Sequence, residues 1–401
     1  MDAQAGQARF EPTISKWIGP APSGQAVVGF LGIGTLSLVA AGVQPLVFGA
    51  LVTEHRLTAA GLGWAMTAEF LALALGVGVA SAALPPTGLR ARGLLAAVLL
   101  LLANVLCMRH AGLLILADRA LAGFSAGVLL SIPTVILTRS RNAGRWGAVL
   151  LVMQGLAQLL FAAVLPQTLM GRLGANGGFL ALAGTACVTM AFCLLVPGRL
   201  PPLESVSPEN AGSGRLSVPA LLSLVVVVLV YAFLFAFFAY IGQIAQQAGA
   251  NEQAVGAILA TAVGCSIAGS LVAVFVAQRL AAFPVLAAAA IANVVAIIGV
   301  AQLPGPGLFM ALAALWGSFW GFLMPYQLPF TIEIDPSRRA ALLVPGAQSF
   351  GASTGPLLGS FFVTDTESRG ALLAAGFCLA AAFLLAAALT VHRKRRQLNR
   401  L

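Results

Sequence analysis

Residues 111–137 read AGLLILADRALAGFSAGVLLSIPTVIL, an apolar run in which Arg119 is followed four residues later by Gly123-x-x-x-Gly127. Rising about 1.5 Å per residue, a helix of this length crosses a hydrocarbon layer of roughly 30 Å. Asp118 and Arg119 then lie inside the membrane, where ionisable groups are expensive and usually face protein or water. The two glycines lack a Cβ and let a neighbouring backbone approach closely. The stretch reads as one helix of a packed membrane bundle.

Sixty per cent of the 401 residues are apolar and 8% are charged. Typical soluble values are roughly 45–50% and about 25%, so soluble globular, disordered and fibrous classes are excluded together. Spanning segments fall at 26–52, 59–84, 93–108, 111–137, 146–165, 177–197, 219–246, 253–277, 284–302, 306–330, 340–363 and 370–391. Twelve spans at about 33 residues each leave no room for a separate soluble domain.

With both termini in the cytoplasm, that side carries 17 of the 22 Lys and Arg, including Arg9, Lys16, Arg90, Arg92, Arg139, Arg141 and Arg145. The other side carries four, Arg56, Arg109, Arg172 and Arg369, and Arg119 is left within a span. This satisfies the positive-inside rule for a plasma (inner) membrane protein. The net charge of +10 is therefore a topology signal and not a nucleic-acid surface. Arg393, Lys394, Arg395 and Arg396 read as a stop-transfer anchor at the lipid headgroups. All five cysteines lie in spans without metal-ligand spacing and read as small hydrophobes. No removable signal peptide is expected, the first span being the insertion signal.

The interval Gly198–Pro219, GRLPPLESVSPENAGSGRLSVP, is rich in Pro, Gly and Ser and reads as a cytoplasmic linker. It divides the chain into an N-terminal six-helix bundle (1–197) and a C-terminal one (220–401). Shifting the second half back by 194 residues superimposes Gly123 on Gly317, Gly127 on Gly321, Arg145 on Arg339 and Gln154 on Gln348. Duplicated halves place a binding site at their interface near mid-membrane and allow one half to rock on the other. Gln154 and Gln348 are expected to hydrogen-bond between the halves. Gly351, Gly355 and Gly359 in GASTGPLLG read as a further close-packing stripe, with Pro356 permitting a bend.

Twelve spans, the six-plus-six division and Arg119-Ala-Leu-Ala-Gly123-Phe-Ser-Ala-Gly127 in span 4 together resemble the major facilitator superfamily. The resemblance covers essentially the whole chain and implies an all-α fold of two pseudo-symmetric bundles, with spans 1, 4, 7 and 10 lining a cavity and spans 2 and 4 adjacent. The family loop between spans 2 and 3 keeps only Arg90 and Arg92 in LPPTGLRARG, without its Asp. Span 5 lacks the Gly-Pro signature of antiporters, which GASTGPLLG in span 11 resembles.

Glu69 and Arg119 lie at depths that differ by roughly 3 Å if both spans run inward. Three readings follow: protonation of Glu69 releases Arg119 and shifts the inward-open to outward-open balance; the pair is static; or Arg119 attracts an anionic substrate. Asp118, about 100° around the helix from Arg119, is a second carboxylate candidate. Substrate-binding candidates on the lining spans are Ser37 and Gln44, Arg119, Tyr240 and Gln243 (with Gln247), and Trp316, Trp320 and Gln327. Such aromatic planes with a few amides suit a small organic compound with a ring or apolar body. Glu333, Asp335, Arg338 and Arg339 offer salt bridges at the cytoplasmic gate.

No nucleotide-binding motif, convergent acid–base set or metal cluster is present in the sequence. The expectation is a monomeric secondary transporter for a small organic solute, driven by protons, with no cofactor and no enzymatic activity. The alternative is a non-transporting receptor or assembly factor on the same fold.

Overall fold

The computed structural model describes residues 22–82, 87–137, 143–198, 216–276, 279–336 and 339–398. The first apolar run forms two helices, α1 (Gly24–Leu36) and α2 (Val39–Thr53). Then follow α3 (Ala59–Ala82), α4 (Leu89–Cys107), α5 (Leu113–Leu137), α6 (Ala143–Val164), a short α7 (Leu169–Leu173) and α8 (Ala175–Leu195). The second half forms α9 (Val218–Gln247), α10 (Glu252–Val276), α11 (Ala282–Ala301), α12 (Pro306–Ile334), α13 (Arg339–Ser360) and α14 (Gly370–Leu398). Among the described residues, 11 helical segments are long and apolar enough to cross a membrane. The chain is a multi-pass membrane protein. The other long helix, α13, has 22 residues but carries Pro345 and Pro356 with several Gly and Ser. Its low hydropathy is offset by close packing on α9 at Gly351 and Gly355 and on the outer part of α3 at Ser353, Pro356 and Ser360.

The first span is interrupted at Ser37–Leu38, while Pro45 sits inside α2. There the Ser37 hydroxyl donates to Gly34 O (3.1 Å), competing with the backbone ladder. Two glutamines of α6 bind the same region: Gln154 Nε2 donates to Gly34 O (2.8 Å) and Gln158 Nε2 to Leu38 O (2.9 Å). Gln158 lies across Gly42, where a Cβ would collide with it.

Glycine sets the closest helix pairings. A Cβ at Gly123 would run into the carbonyl of Glu69, and one at Gly127 into that of Leu73, so α5 lies directly on α3. In the second half Gly317 and Gly321 meet the carbonyls of Ala262 and Ser266, placing α12 on α10 in the same way. The matched glycine pairs thus occupy equivalent helix contacts. Gly351 and Gly355 pack on the α9 carbonyls of Val228 and Ala232.

We call the face where the first and second spans meet the outer face, following the charge-based orientation. One apolar core joins the halves there, running from Val43, Val47 and Leu51 to Phe233, Phe237 and Tyr240. At the inner face the first half closes on a separate core containing Phe30, Ile33, Leu89 and Ile132, and α9 and α13 form a third with Leu224 and Val344. The halves are therefore joined at one end.

Arg9, Lys16, Arg139, Arg141, Arg199, Arg215 and Arg338, the linker residues 199–215 and the start of the 84–93 loop lie outside the described residues, as do the side chains of Arg145, Arg339 and Arg396. Of the acidic residues after span 10, Glu333 pairs with Arg393 of α14 (2.8 Å), and Asp335 accepts from Ala340 N (3.0 Å) at the start of α13. Both contacts lie within the second half and bridge no gate between halves.

Candidate functional site

Gly123 positions the charged centre. Because α5 touches the backbone of α3 at Glu69, Arg119 one turn earlier faces the Glu69 side chain, with Nε 3.7 Å from Oε2. Glu69 is 4% exposed and Arg119 0%. Arg119 Nη1 donates to Asn104 Oδ1 (3.3 Å), and Asn104 is oriented by donating its own amide to Leu100 O (2.9 Å). The rings of Phe48 and Phe179 flank the guanidinium at 5.8 and 5.7 Å, within cation–π range. Gln44 lies beside Glu69. Glu69 Oε2, Arg119 Nε and Nη2, and both Gln44 amide atoms make no hydrogen bond of ordinary geometry. A buried ion pair with spare donors and acceptors carries a large desolvation cost, so its stability depends on the charge state of the carboxyl.

Asp118 does not join this centre. Its side chain points about 100° away from that of Arg119 and pairs with His110, Nδ1 to Oδ2 at 2.7 Å. Arg56 binds the same corner, donating to His110 O (2.9 Å), Asn176 Oδ1 (2.8 Å) and the Cys107 carbonyl.

The second set is aromatic. Trp316 and Trp320 have centroids 5.1 Å apart, and Phe238 packs on both. Phe235 joins Trp320 (5.7 Å) to Phe70 of the first half (4.9 Å), so the cluster crosses the interface. Trp316 is fully buried within the cluster and does not line an open surface, whereas Trp320 stays partly exposed. Tyr240 is also fully buried, its ring against Gly359 and its hydroxyl at Gly63 of the first half.

The amides are used separately. Gln243 Oε1 accepts from Ser368 Oγ (3.1 Å), and Gln247 Nε2 donates to Thr366 O (2.9 Å), fastening the loop between α13 and α14 to the outer end of α9. Gln327 Oε1 accepts from Gln348 Nε2 (3.0 Å). Gln44, Gln243 and Gln327 are 2%, 6% and 7% exposed, so none is turned to the acyl chains. They nevertheless do not converge on one pocket with Arg119 and Ser37. Helical spacing specifies a shared face, and each buried amide then takes the nearest partner available. For the same reason the expected inter-half bonds of Gln154 and Gln348 are made within their own halves, to Gly34 and Gln327.

The outer closure is built from residues not singled out in the sequence. Asp365 Oδ1 accepts from Ala59 N (2.9 Å), capping α3 from the opposite half; Trp64 Nε1 donates to Ser360 Oγ (3.0 Å) and Thr67 Oγ1 to Ser353 O (2.8 Å). A vestibule of about 520 Å³ opens beside them, lined by His55, Arg56, Thr58, Trp64, Gly112 and Asp365. In the same loop Arg369 donates to Glu367 from its backbone and side chain, holding that carboxyl down at about 2. Asp365→Ala removes a helix cap worth about 1 kcal/mol and is expected to shift the outer face toward opening by about fivefold. The check is the labelling rate of Trp64→Cys, which should rise.

No family model matches the sequence, and no curated protein matches it. Solved structures do. The nucleoside transporter NupG matches at a TM-score of 0.72 with 13% identity, over 90% of this chain and 98% of that one. A D-xylose-proton symporter matches at 0.66 with 15% identity, over 90% and 95%. A bacterial homologue of the human lysosomal transporter Spinster, inward-facing and occupied, matches at 0.62 with 14% identity, over 92% and 94%. The chain has the fold of the major facilitator superfamily.

Proposed function

We propose that the chain is a secondary transporter that moves a small organic solute by alternating access, with proton binding at Glu69 coupled to the exchange of states. It acts as a monomer in the plasma membrane with both termini cytoplasmic. The observation that carries this reading is the one-ended junction: the shared core takes in only the outer part of the first half, and three polar bonds join the halves there, while the inner part of the first half closes on a separate core. Such an arrangement is half of a rocking cycle. The fold neighbours, described as nucleoside, D-xylose-proton and lysosomal transporters, support the same class.

The aromatic surface of Trp320, Phe235 and Phe70 suits a ring or apolar body. In the charged centre, a proton on Glu69 cancels the charge facing Arg119 and leaves the guanidinium with Asn104 and the two rings. The favoured packing of α3 on α5, and with it the angle of α3 to α13, then changes with protonation.

The test is flux of a panel of radiolabelled solutes into proteoliposomes with and without a pH gradient. Glu69→Gln, a permanently neutral isostere, is expected to abolish gradient-driven accumulation while leaving solute counterflow at equal pH. Accumulation unchanged in the variant overturns coupling at Glu69; no flux of any solute favours a non-transporting receptor.

A further inference from the structure

The vestibule at the outer face, about 520 Å³ in volume, falls within the roughly 300–1,000 Å³ range of sites that hold small organic ligands. Three first-half segments wall it: the turn over residues 52–58, the start of α3 at Gly61 and Trp64, and residues 111–116 at the start of α5. Among the lining residues the second half contributes Asp365 alone.

The charges of the lining are not equally available. Arg56 is fully engaged: Nε donates to His110 O (3.3 Å), Nη1 to Glu54 and Asn176, and Nη2 to the carbonyls of Cys107 and His110. Glu54, 3.4 Å away, also balances its charge. Asp365 is only half used. Its Oδ1 caps α3 by accepting from Ala59 N (2.9 Å), and its Oδ2 has no partner among the described residues. The neighbouring carboxylate, Glu367, is already held by Arg369. His55, the other titratable side chain of the lining, makes no ion pair among the described residues. The Trp64 indole is fixed by donating from Nε1 to Ser360 Oγ (3.0 Å), yet its residue stays 41% exposed. Val52, Leu57, Leu113 and Leu116 add apolar wall. A held carboxylate with one open oxygen, an accessible indole and an apolar wall suit an ammonium group carried on an apolar body.

We propose that the vestibule is a regulatory site for organic cations with an apolar body, whose binding holds the outer face shut. A ligand shifts an equilibrium only by its differential affinity for the two states. Opening the outer face carries Asp365 away with the second half and leaves the other walls in place, so the carboxylate contact is the differential part. An uncharged analogue meets the same apolar wall in both states and shifts nothing. The locking effect rests on the reading of the outer closure as one state of a transport cycle; binding in the vestibule does not.

The experiment uses cysteine-free protein carrying Ser353→Cys, a position 2% exposed at the α3–α13 contact. In phosphatidylcholine vesicles, its labelling by a membrane-impermeant maleimide is timed with external phenylbutyltrimethylammonium, the neutral phenylbutanol or the anionic phenylpentanoate. Binding of each is measured by equilibrium dialysis against protein-free vesicles. The cation at saturation is expected to slow labelling by about fivefold, and the other two to leave it unchanged. Asp365→Asn keeps the cap, since Asn accepts the same Ala59 N–H. It is expected to abolish the protection and to weaken cation binding by about fivefold. Protection that persists in Asp365→Asn, equal protection by all three probes, or no cation binding beyond that of protein-free vesicles overturns the proposal. Labelling that stays fixed under every solute and pH gradient overturns the transport reading instead, and cation binding that still weakens in Asp365→Asn then supports the site without the lock.

Discussion

Arg119→Leu is expected to abolish coupled transport and to lower stability by about 3–5 kcal/mol, the cost of leaving one partner of a buried pair without its counter-charge. In this variant Glu69 keeps only Gln44 beside it, in a site closed to water. The double variant Arg119→Leu/Glu69→Leu separates the two effects. Replacing a whole buried pair by apolar residues of similar size is often neutral or stabilising, so thermal stability should return to near that of the parent while transport stays lost. The coupling of two contacting sites makes the single-variant costs non-additive. If the double variant were as unstable as Arg119→Leu, the guanidinium would be acting mainly through Asn104, Phe48 and Phe179, and the charge on Glu69 would be incidental.

Gly321→Val is expected to eliminate folded protein. Its Cβ would coincide with the carbonyl oxygen of Ser266, and a backbone group cannot rotate out of the way as a side-chain tip can. The penalty should exceed the roughly 1–3 kcal/mol typical of overpacked cores, because α12 would have to leave α10 along its length. Gly123→Val should behave alike in the first half, and there the displacement also parts Arg119 from Glu69. Gly184→Ala and Gly376→Ala are the controls, since nothing lies within 4 Å of a Cβ at either. Yield and monodispersity on gel filtration, with a melting curve, separate the four. A well-folded Gly321→Val would mean that the α10–α12 contact is not set by the glycine.

The architecture was legible because membrane spans announce themselves locally. Apolar runs of about 20 residues need no tertiary information to be recognised, and the matched glycines at a fixed offset turned out to mark equivalent helix pairs. The facing of Glu69 and Arg119 was also legible, since depth in a membrane is simply counted along the helix and an ionised group there needs a partner. Rotation and partner choice were not. Gln243 and Gln327 share a face with aromatics in the sequence, yet one fastens an outer loop through Ser368 and the other binds Gln348. Asp118 is one position from Arg119, and that single step turns it to His110. Trp316 is as polar-tipped as Trp320 but is sealed inside the ring cluster. Asn104 left a signal, a lone amide within LLANVLC. Asp365 left none, because a loop carboxylate capping a helix of the other half is defined only by the docked geometry.

The outer latch and the charged centre meet in α3. Its N-terminus is capped by Asp365, its middle carries Thr67 bound to the α13 backbone, and Glu69 follows two residues later. A change in the Glu69–Arg119 contact therefore acts on the helix that holds the outer face shut. The proposed coupling would then have a physical carrier, a single rigid element shared by both sites.

The most direct measurement is a pair of spin-label distance distributions in a cysteine-free background, Leu113 with Phe361 across the outer face and Leu195 with Leu280 across the inner face. The account expects two populations at each face that exchange in opposite senses: acidification or added solute lengthens the outer distance as the inner one shortens. A single distance at both faces under every condition, or both faces widening together, would contradict it.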